Sequence, residues 1–300
     1  MLQTALEHSL KEVLQRLVKP LLHPAIPVRA QRSMIRKAYL ASTPPAGCRF
    51  EHMTLGGIPV TRTRCEDSDP ARAILYLHGG AYIIGSPDTH RGITGHLCVS
   101  SGASVYAADY RLAPEAPFPA SLEDAKAAYL ALLEDGYQPA QIALAGDSAG
   151  GGLALALAMQ LRDEEVGLPG AIVVFSPWAD LTHSQLYEPK VEPMLPQRWI
   201  DKAAGLYCVG ESRKNPLISP VYGDFSGLPP LLIQVGSEEI LLNDAQRVAE
   251  AARKSGTEVC LDIYNGLWHV FQMHAGQLAR ATEATREAGQ FIRDRTFSRA

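Results

Sequence analysis

One serine in this chain stands among glycines in a setting that suits nucleophilic attack. Gly146-Asp147-Ser148-Ala149-Gly150-Gly151 follows the apolar run QIALA and precedes LALALAMQL. A G-x-S-x-G between a strand and a helix is a turn sharp enough to expose the serine hydroxyl at the end of a sheet. Residues flanking that turn must be small, as Gly146 and Gly150 are. Ser148 also opens a helix, where unpaired N–H groups and the helix dipole favour developing negative charge. The competing reading is a glycine-rich turn with a helix-capping serine; the strand before it and the helix after it favour a nucleophile.

A second cluster supplies what such a nucleophile needs. His78-Gly79-Gly80-Ala81-Tyr82 ends the strand-like run AILYL. Acyl transfer develops an oxyanion, and each positioned donor to it contributes about 2.7–4 kcal/mol. Glycine lets backbone N–H groups come close to a substrate. The expected donors are the N–H groups of Gly80, Ala81 and Ala149, with Gly79 shaping the loop.

These clusters require strands and helices in alternation to hold them. Phe50–Leu55 and Ile58–Arg64 flank Gly56-Gly57 and read as a β-hairpin. Strands are expected at Ala73–Leu77, Ala103–Ala108, Ile142–Ala145, Ala171–Phe175, Leu231–Val235 and Val259–Tyr264. Helices are expected at Leu122–Leu133, Leu153–Leu161, Leu241–Ala252 and Gln277–Ile292. Continuous apolar strands separated by helices predict an α/β fold, about eight strands in a mostly parallel sheet covered on both faces.

Two segments stand outside that rhythm. Leu2, Leu6, Leu10, Val13, Leu14 and Leu17 make an amphipathic helix, broken by Pro20, Pro24 and Pro27, and a second helical pattern runs from Ser33 to Ala41. Packing on the protein's own body is preferred over a membrane surface, because the polar face mixes Glu with Lys. Residues 183–227 are rich in Pro, Gly and polar side chains, with one helical piece around Trp199–Leu206. An insertion of that length usually faces substrate.

Composition closes off other classes. The 300 residues are 46% hydrophobic and 20% charged, which excludes disorder and coiled coil as whole-chain readings. A net charge of −4 without basic blocks argues against nucleic acid as a partner and against stable membrane association. The five cysteines are widely spaced, with no C-x-x-C pair, and read as free thiols of a cytoplasmic protein. No stretch of eighteen apolar residues or signal-peptide pattern is present. No H-E-x-x-H exists, and neither metal nor cofactor is expected.

Taken together, His78-Gly79-Gly80, Gly85, Asp109-Tyr110-Arg111-Leu112-Ala113-Pro114-Glu115, the Ser148 motif, Ser176-Pro177-Trp178-Ala179-Asp180-Leu181, Asn215-Pro216 and Ser219-Pro220 occur in one order over roughly residues 50–295. That set resembles the hormone-sensitive-lipase-like (bacterial family IV) esterases of the α/β-hydrolase superfamily. The family usually carries a third glycine where this chain has Ala81; the backbone donor survives, but φ becomes more restricted. The resemblance implies a helical cap made by residues 1–45 and an insertion at about 183–210, on a catalytic domain of residues 46–300. It also implies that Arg111 and Glu115 form an internal ion pair or bind backbone, and that Asp180 is structural.

In such a fold the order is serine, acid, histidine. His269, just after the last strand in Gly266-Leu267-Trp268-His269, obeys it and is preferred over His274. His183 is a candidate to line the site, and His78 orders its own loop. The acid must lie in Gly236–Asp244. Aligning Leu241 with the family's Asp-Pro-Leu-x-x-Asp pattern selects Glu239, a departure from the usual Asp, over Glu238 and Asp244. A carboxylate one methylene longer can still hold the imidazole tautomer. Asp147 is read as structural. Tyr82, Trp178, Trp199 and Tyr207 are candidates for pocket walls or core aromatics.

The expected activity is a serine carboxylesterase that cleaves short- to medium-chain acyl esters through Ser148, His269 and Glu239. Its partner is a small-molecule ester, and a homodimer is compatible with the reading. The alternatives are amide, carbamate or lactone hydrolysis by the same triad, and a non-catalytic small-molecule receptor on the same fold.

Overall fold

The computed structural model describes residues 2–39, 43–190 and 192–296. One eight-stranded sheet organises the chain: β1 (Arg49–Leu55), β2 (Ile58–Arg64), β3 (Asp69–Leu77), β4 (Ala103–Ala108), β5 (Ile142–Asp147), β6 (Ala171–Phe175), β7 (Leu231–Gly236) and β8 (Val259–Tyr264). Their spatial order is β1-β2-β4-β3-β5-β6-β7-β8. β2 runs antiparallel to both β1 and β4, and every other pair is parallel. Gly56 and Gly57 have φ of 56° and 81°, the positive pair that a two-residue hairpin turn requires, and they set the register Leu55↔Ile58 through Arg49↔Arg64.

Period-two alternation splits the buried side chains of β3 between two cores. Ala73, Leu75 and Leu77 pack with α4 (Ala120–Glu134), α5 (Ala149–Asp163) and α7 (Leu242–Lys254), while Ile74 and Tyr76 pack with α3 (Arg91–Ser101) and α8 (Ala279–Arg295). Both faces are therefore covered, which explains why the strands read as unbroken apolar runs.

The segments outside the sheet's rhythm gather at one end. α1 (Leu2–Val13) continues through a π-turn at Leu14–Val18, and α2 spans Val28–Ala38. The second helix thus starts five residues before the expected Ser33, because Pro27 occupies the position ahead of it and can begin a helix; the expected end at Ala41 lies outside the described residues. α6 (Gln197–Tyr207) is the helical piece of the insertion. Trp199 Nε1 of α6 donates to Gln31 Oε1 of α2 at 3.2 Å, and Lys202 Nζ donates to the Pro24 carbonyl at 2.7 Å. Leu14 packs with Leu267, Trp268 and Phe271, the loop that carries His269. Among the described residues no helix is long and apolar enough to cross a membrane.

Candidate active site

Ser148 lies between the end of β5 and the start of α5, at φ 51° and ψ −120°. A non-glycine residue rarely adopts this backbone, and its neighbours hold it there. Its N–H donates to the Phe175 carbonyl at 2.8 Å, and its own carbonyl accepts from Trp178 N–H at 2.9 Å. The turn closes only because Gly150 lacks a side chain: a Cβ there would lie 1.9 Å from the Leu77 carbonyl oxygen.

The loop after β3 is equally constrained. Gly80, Ala81 and Tyr82 all have positive φ, at 121°, 53° and 61°. Ala81 thus takes the left-handed backbone of a glycine. The Gly80 carbonyl accepts from Ile83 and Ile84 N–H, which curls the loop. Gly79 N–H donates to Asp147 Oδ1 at 3.0 Å. Gly80 and Ala81 border the cavity beside Ser148, while the Gly79 N–H is engaged by Asp147.

Asp147 is the support behind both loops. Its Oδ1 also accepts from Tyr76 Oη at 2.7 Å and lies 3.3 Å from His90 Nε2. Burial alone would raise this carboxyl, but the His90 charge and the hydrogen bonds hold it below its ordinary value. Burial opposes charge on His90, yet Asp147 and the Ser86 carbonyl push its pKa up. A buried ion pair thus joins β5 to the segment before α3. His78 stacks on Tyr110 and donates through Nδ1 to the Gly79 carbonyl at 2.8 Å. Burial, and then the neighbouring His90, depress its pKa to about 3, so it stays neutral and orders its own loop.

His269 Nδ1 lies 3.2 Å from Glu239 Oε1. Glu239 is fully buried, and its Oε2 accepts from Ser176 Oγ at 2.7 Å and from Gly236 N–H at 2.9 Å. Ser176 Oγ in turn accepts from Val270 N–H at 3.0 Å. One hydroxyl therefore ties the acid loop to the residue next to His269. Removing it with Ser176→Ala takes one hydrogen bond from a buried carboxylate, about 1.5–3 kcal/mol. The expected kcat/KM for p-nitrophenyl butyrate falls about 10- to 100-fold; unchanged kinetics would show that Glu239 and His269 do not depend on Ser176.

Glu192 adds a clamp from the insertion. Its Oε1 accepts from Met194 and Leu195 N–H at 2.8 and 3.0 Å, and its Oε2 accepts from Ile240 N–H at 2.7 Å, beside Glu239. Burial pushes its pKa up. Lys11 of α1 pairs with Glu238, and Lys19 Nζ donates to the Glu192 carbonyl.

One cavity adjoins these groups. Ser148, His269 and the Gly79–Ala81 loop form part of its wall, facing Val18, Leu22, Ile35, Tyr39, Met194, Leu195 and Trp199. The wall is overwhelmingly apolar, suited to an acyl chain rather than a charged ligand. Among the described residues, no group of three or more His, Cys, Asp or Glu side chains is placed to hold a metal ion.

Of the four aromatic candidates, only Trp199 lines this cavity. Tyr82 stacks on Tyr207 with centroids 3.8 Å apart, and Trp178 packs against Tyr82, all three buried in the core beside the cavity. They pack in the core beside the Gly79–Ala81 loop instead of walling the pocket. His183 likewise stays outside: its Nε2 accepts from Trp178 Nε1 at 3.1 Å, and its Nδ1 meets Asp201 at 2.6 Å. Arg111 and Glu115 do not pair with each other, but Arg111 does bind backbone, donating to the Ala120 carbonyl at 3.2 Å. Arg111 binds Asp124 and Glu123 of α4, and Glu115 binds Arg32 of α2, because the turn between them points the two side chains to different helices. Asp180 pairs with Arg247 at 2.6 Å, and Asp244 accepts from Ala179 and Asp180 N–H, so both carboxylates brace the insertion. The roles of Ser176 and Glu192 are not visible in the sequence, whereas His90 is the satisfied structural histidine its type suggests. The wall residues Ile35 and Tyr39 are also missed in the sequence, although their spacing of four, with Gln31, marks one face of α2.

Comparison with known proteins places this fold among the hydrolases. The α/β hydrolase fold family matches residues 74–273. An acetyl-hydrolase of Streptomyces hygroscopicus is 46% identical over 228 residues, 75% of this chain and 76% of the relative. A hormone-sensitive lipase structure from a metagenome library superposes with a TM-score of 0.91 at 37% identity, covering 98% of both chains. The esterase EstE5, soaked with p-nitrophenyl butyrate, superposes with a TM-score of 0.90 at 34% identity, covering 97% of this chain and 98% of that one. The chain belongs to the α/β hydrolases, among the bacterial hormone-sensitive-lipase-like esterases, and is a carboxylic ester hydrolase.

Proposed function

We propose that Ser148 is the nucleophile of this esterase, His269 its general base and acid, and Glu239 the carboxylate that orients His269. Ser148 Oγ attacks the ester carbonyl while His269 Nε2 takes its proton. The oxyanion rests on the N–H groups of Gly80, Ala81 and Ala149, in a loop shaped by Gly79. His269 then protonates the leaving alkoxide, and an acyl-serine remains. Water, activated by the same imidazole, releases the acid and restores Ser148. The observation that carries this reading is the 3.2 Å contact between His269 Nδ1 and Glu239 on the rim of the cavity that Ser148 also borders.

The substrates in this reading are esters with short to medium acyl chains. Residues 1–45 and about 183–210 form a cap on the catalytic domain of residues 46–300, and Ile35, Met194, Leu195 and Trp199 close the cavity opposite the serine. In this reading the apolar lining takes a short acyl chain, and the cap side chains on the cavity wall exclude longer ones by steric overlap. The setting is the cytoplasm, without stable membrane association, which the mild net charge of −4 supports. A homodimer fits the same reading, since the sheet leaves the outer edge of β8 unpaired.

A series of p-nitrophenyl esters tests the assignment of chain length. The expected kcat/KM is highest between acetate and hexanoate and lower by at least about tenfold for palmitate, as a pocket that excludes added methylenes requires. A flat profile, or one rising to palmitate, would replace the bounded pocket with an open interfacial groove.

A further inference from the structure

We propose that Cys48 and Cys65 form a thiol–disulfide site, two thiols that close a cross-strand bond on reaction with glutathione disulfide. The placement follows from the hairpin. The β1–β2 register ends at Arg49 opposite Arg64, and Cys48 and Cys65 are the next residue outside each strand. Residues facing each other on antiparallel strands have Cα atoms about 4.5–5.5 Å apart. A disulfide accepts Cα separations of about 4.4–6.8 Å. The two Sγ atoms lie 2.6 Å apart, so bonding needs no movement of the strands. Cys98 is also within hydrogen-bond reach of Cys65, but the 2.6 Å contact is the one between Cys48 and Cys65. Cys208 is buried under α6 and Cys260 is exposed on β8. Cys98 lies behind the pair, with its Sγ 3.2 Å from Ser68 Oγ and 3.6 Å from the Thr63 carbonyl.

A small disulfide can reach the pair. Cys48 and Cys65 line an open surface cleft beside Arg49 and Arg64. Glu51 and Glu66 line the same cleft, so it presents both signs of charge to the carboxylates and amine of glutathione. Burial raises both thiols, but a hydrogen bond from Cys65 favours the Cys48 thiolate while disfavouring ionisation of Cys65. In this route Cys48 is the attacking sulfur. Its thiolate attacks one sulfur of glutathione disulfide, and the first glutathione leaves as a thiolate and takes up a proton. Cys65 then loses its proton and attacks the Cys48 sulfur, and the bond to the second glutathione breaks. Two S–H groups become one S–S bond, and one glutathione disulfide becomes two glutathiones.

The bond would pin the connector that leads from α2 into β1. Pro44, Pro45 and Cys48 already crowd Gly95 of α3, where a Cβ would lie 2.9 Å from Pro45 Cδ.

The full chain carrying Cys260→Ser, which removes the exposed thiol, is incubated with glutathione disulfide. It is then unfolded, titrated for thiols and digested without reduction. The four remaining thiols are expected to fall to two, with one peptide pair joined through Cys48 and Cys65 and released by dithiothreitol. Adding Cys48→Ser should abolish the cross-link and leave Cys65 a thiol. Persistence of all four thiols, a Cys65–Cys98 link, or a stable glutathione adduct on Cys48 would each overturn the proposal. If the double variant does not fold, the peptide map of the Cys260→Ser protein decides alone.

Discussion

Ser148→Ala is expected to lower kcat for p-nitrophenyl butyrate by about a millionfold, close to the full loss seen when a nucleophile is removed from a triad that works as a unit. The reaction then has no acyl acceptor on the protein. Thr89 is the other hydroxyl-bearing serine or threonine on the cavity wall, and its Oγ1 is already engaged by the Ser86 carbonyl and His90. The Cβ of Ser148 is retained in alanine, and the bonds that hold residue 148 in its strained backbone are main-chain bonds to Phe175 and Trp178. The variant should therefore fold and melt as the parent does. Residual turnover over water, about 10³–10⁴-fold, would come from the oxyanion donors and substrate binding. Parallel kinetics and thermal melts check both statements. Loss of activity with a lowered Tm would point to a folding defect instead.

Glu239→Gln carries the second-largest effect, an expected fall in kcat of about 10⁴-fold. The reason is geometric. Glu239 Oε1 faces His269 Nδ1, and Oε2 receives Ser176 Oγ and Gly236 N–H, so every neighbour presents a donor to an acceptor-only carboxylate. A glutamine must turn its NH₂ toward one side. Facing His269, it reverses the imidazole tautomer; facing Gly236, it leaves two donors opposed. Glu238→Gln provides the contrast. That side chain is partly exposed and pairs with Lys11, a surface arrangement worth about 0–1 kcal/mol. Its kcat should change less than about fivefold. If Glu238→Gln were the damaging change, the acid would move by one residue and the observed His269–Glu239 contact would not be the functional one.

Much of this arrangement is legible in the residues alone because it is local. Gly56-Gly57 sets a hairpin register, Gly146 and Gly150 set the turn that lifts Ser148, and the unbroken apolar strands declare a sheet covered on two faces. His269 follows from its position after the last strand. The selection of Glu239 over Glu238 needs more, because both share one loop, and only their buried or exposed directions separate them. Contacts between distant segments stay hidden. No spacing rule links Ser176 to Val270, or Glu192 to Ile240, although each is a single hydrogen bond once the loops meet. The aromatics Tyr82, Trp178 and Tyr207 show the converse. Their type suits a pocket wall, yet the positive φ of Ala81 and Tyr82 turns the loop so that Tyr82 points away from the cavity and stacks in the core. Arg111 and Glu115 sit four residues apart on a turn, where sequence proximity does not make neighbours of side chains.

The most direct measurement is the site of covalent labelling. The full chain is treated with a fluorophosphonate and its peptides are mapped by mass spectrometry, with ester hydrolysis followed in the same sample. One adduct per chain on Ser148, appearing at the rate at which activity disappears, is the expected result. A label on any other residue, or undiminished hydrolysis with Ser148 fully labelled, would contradict Ser148 as the nucleophile.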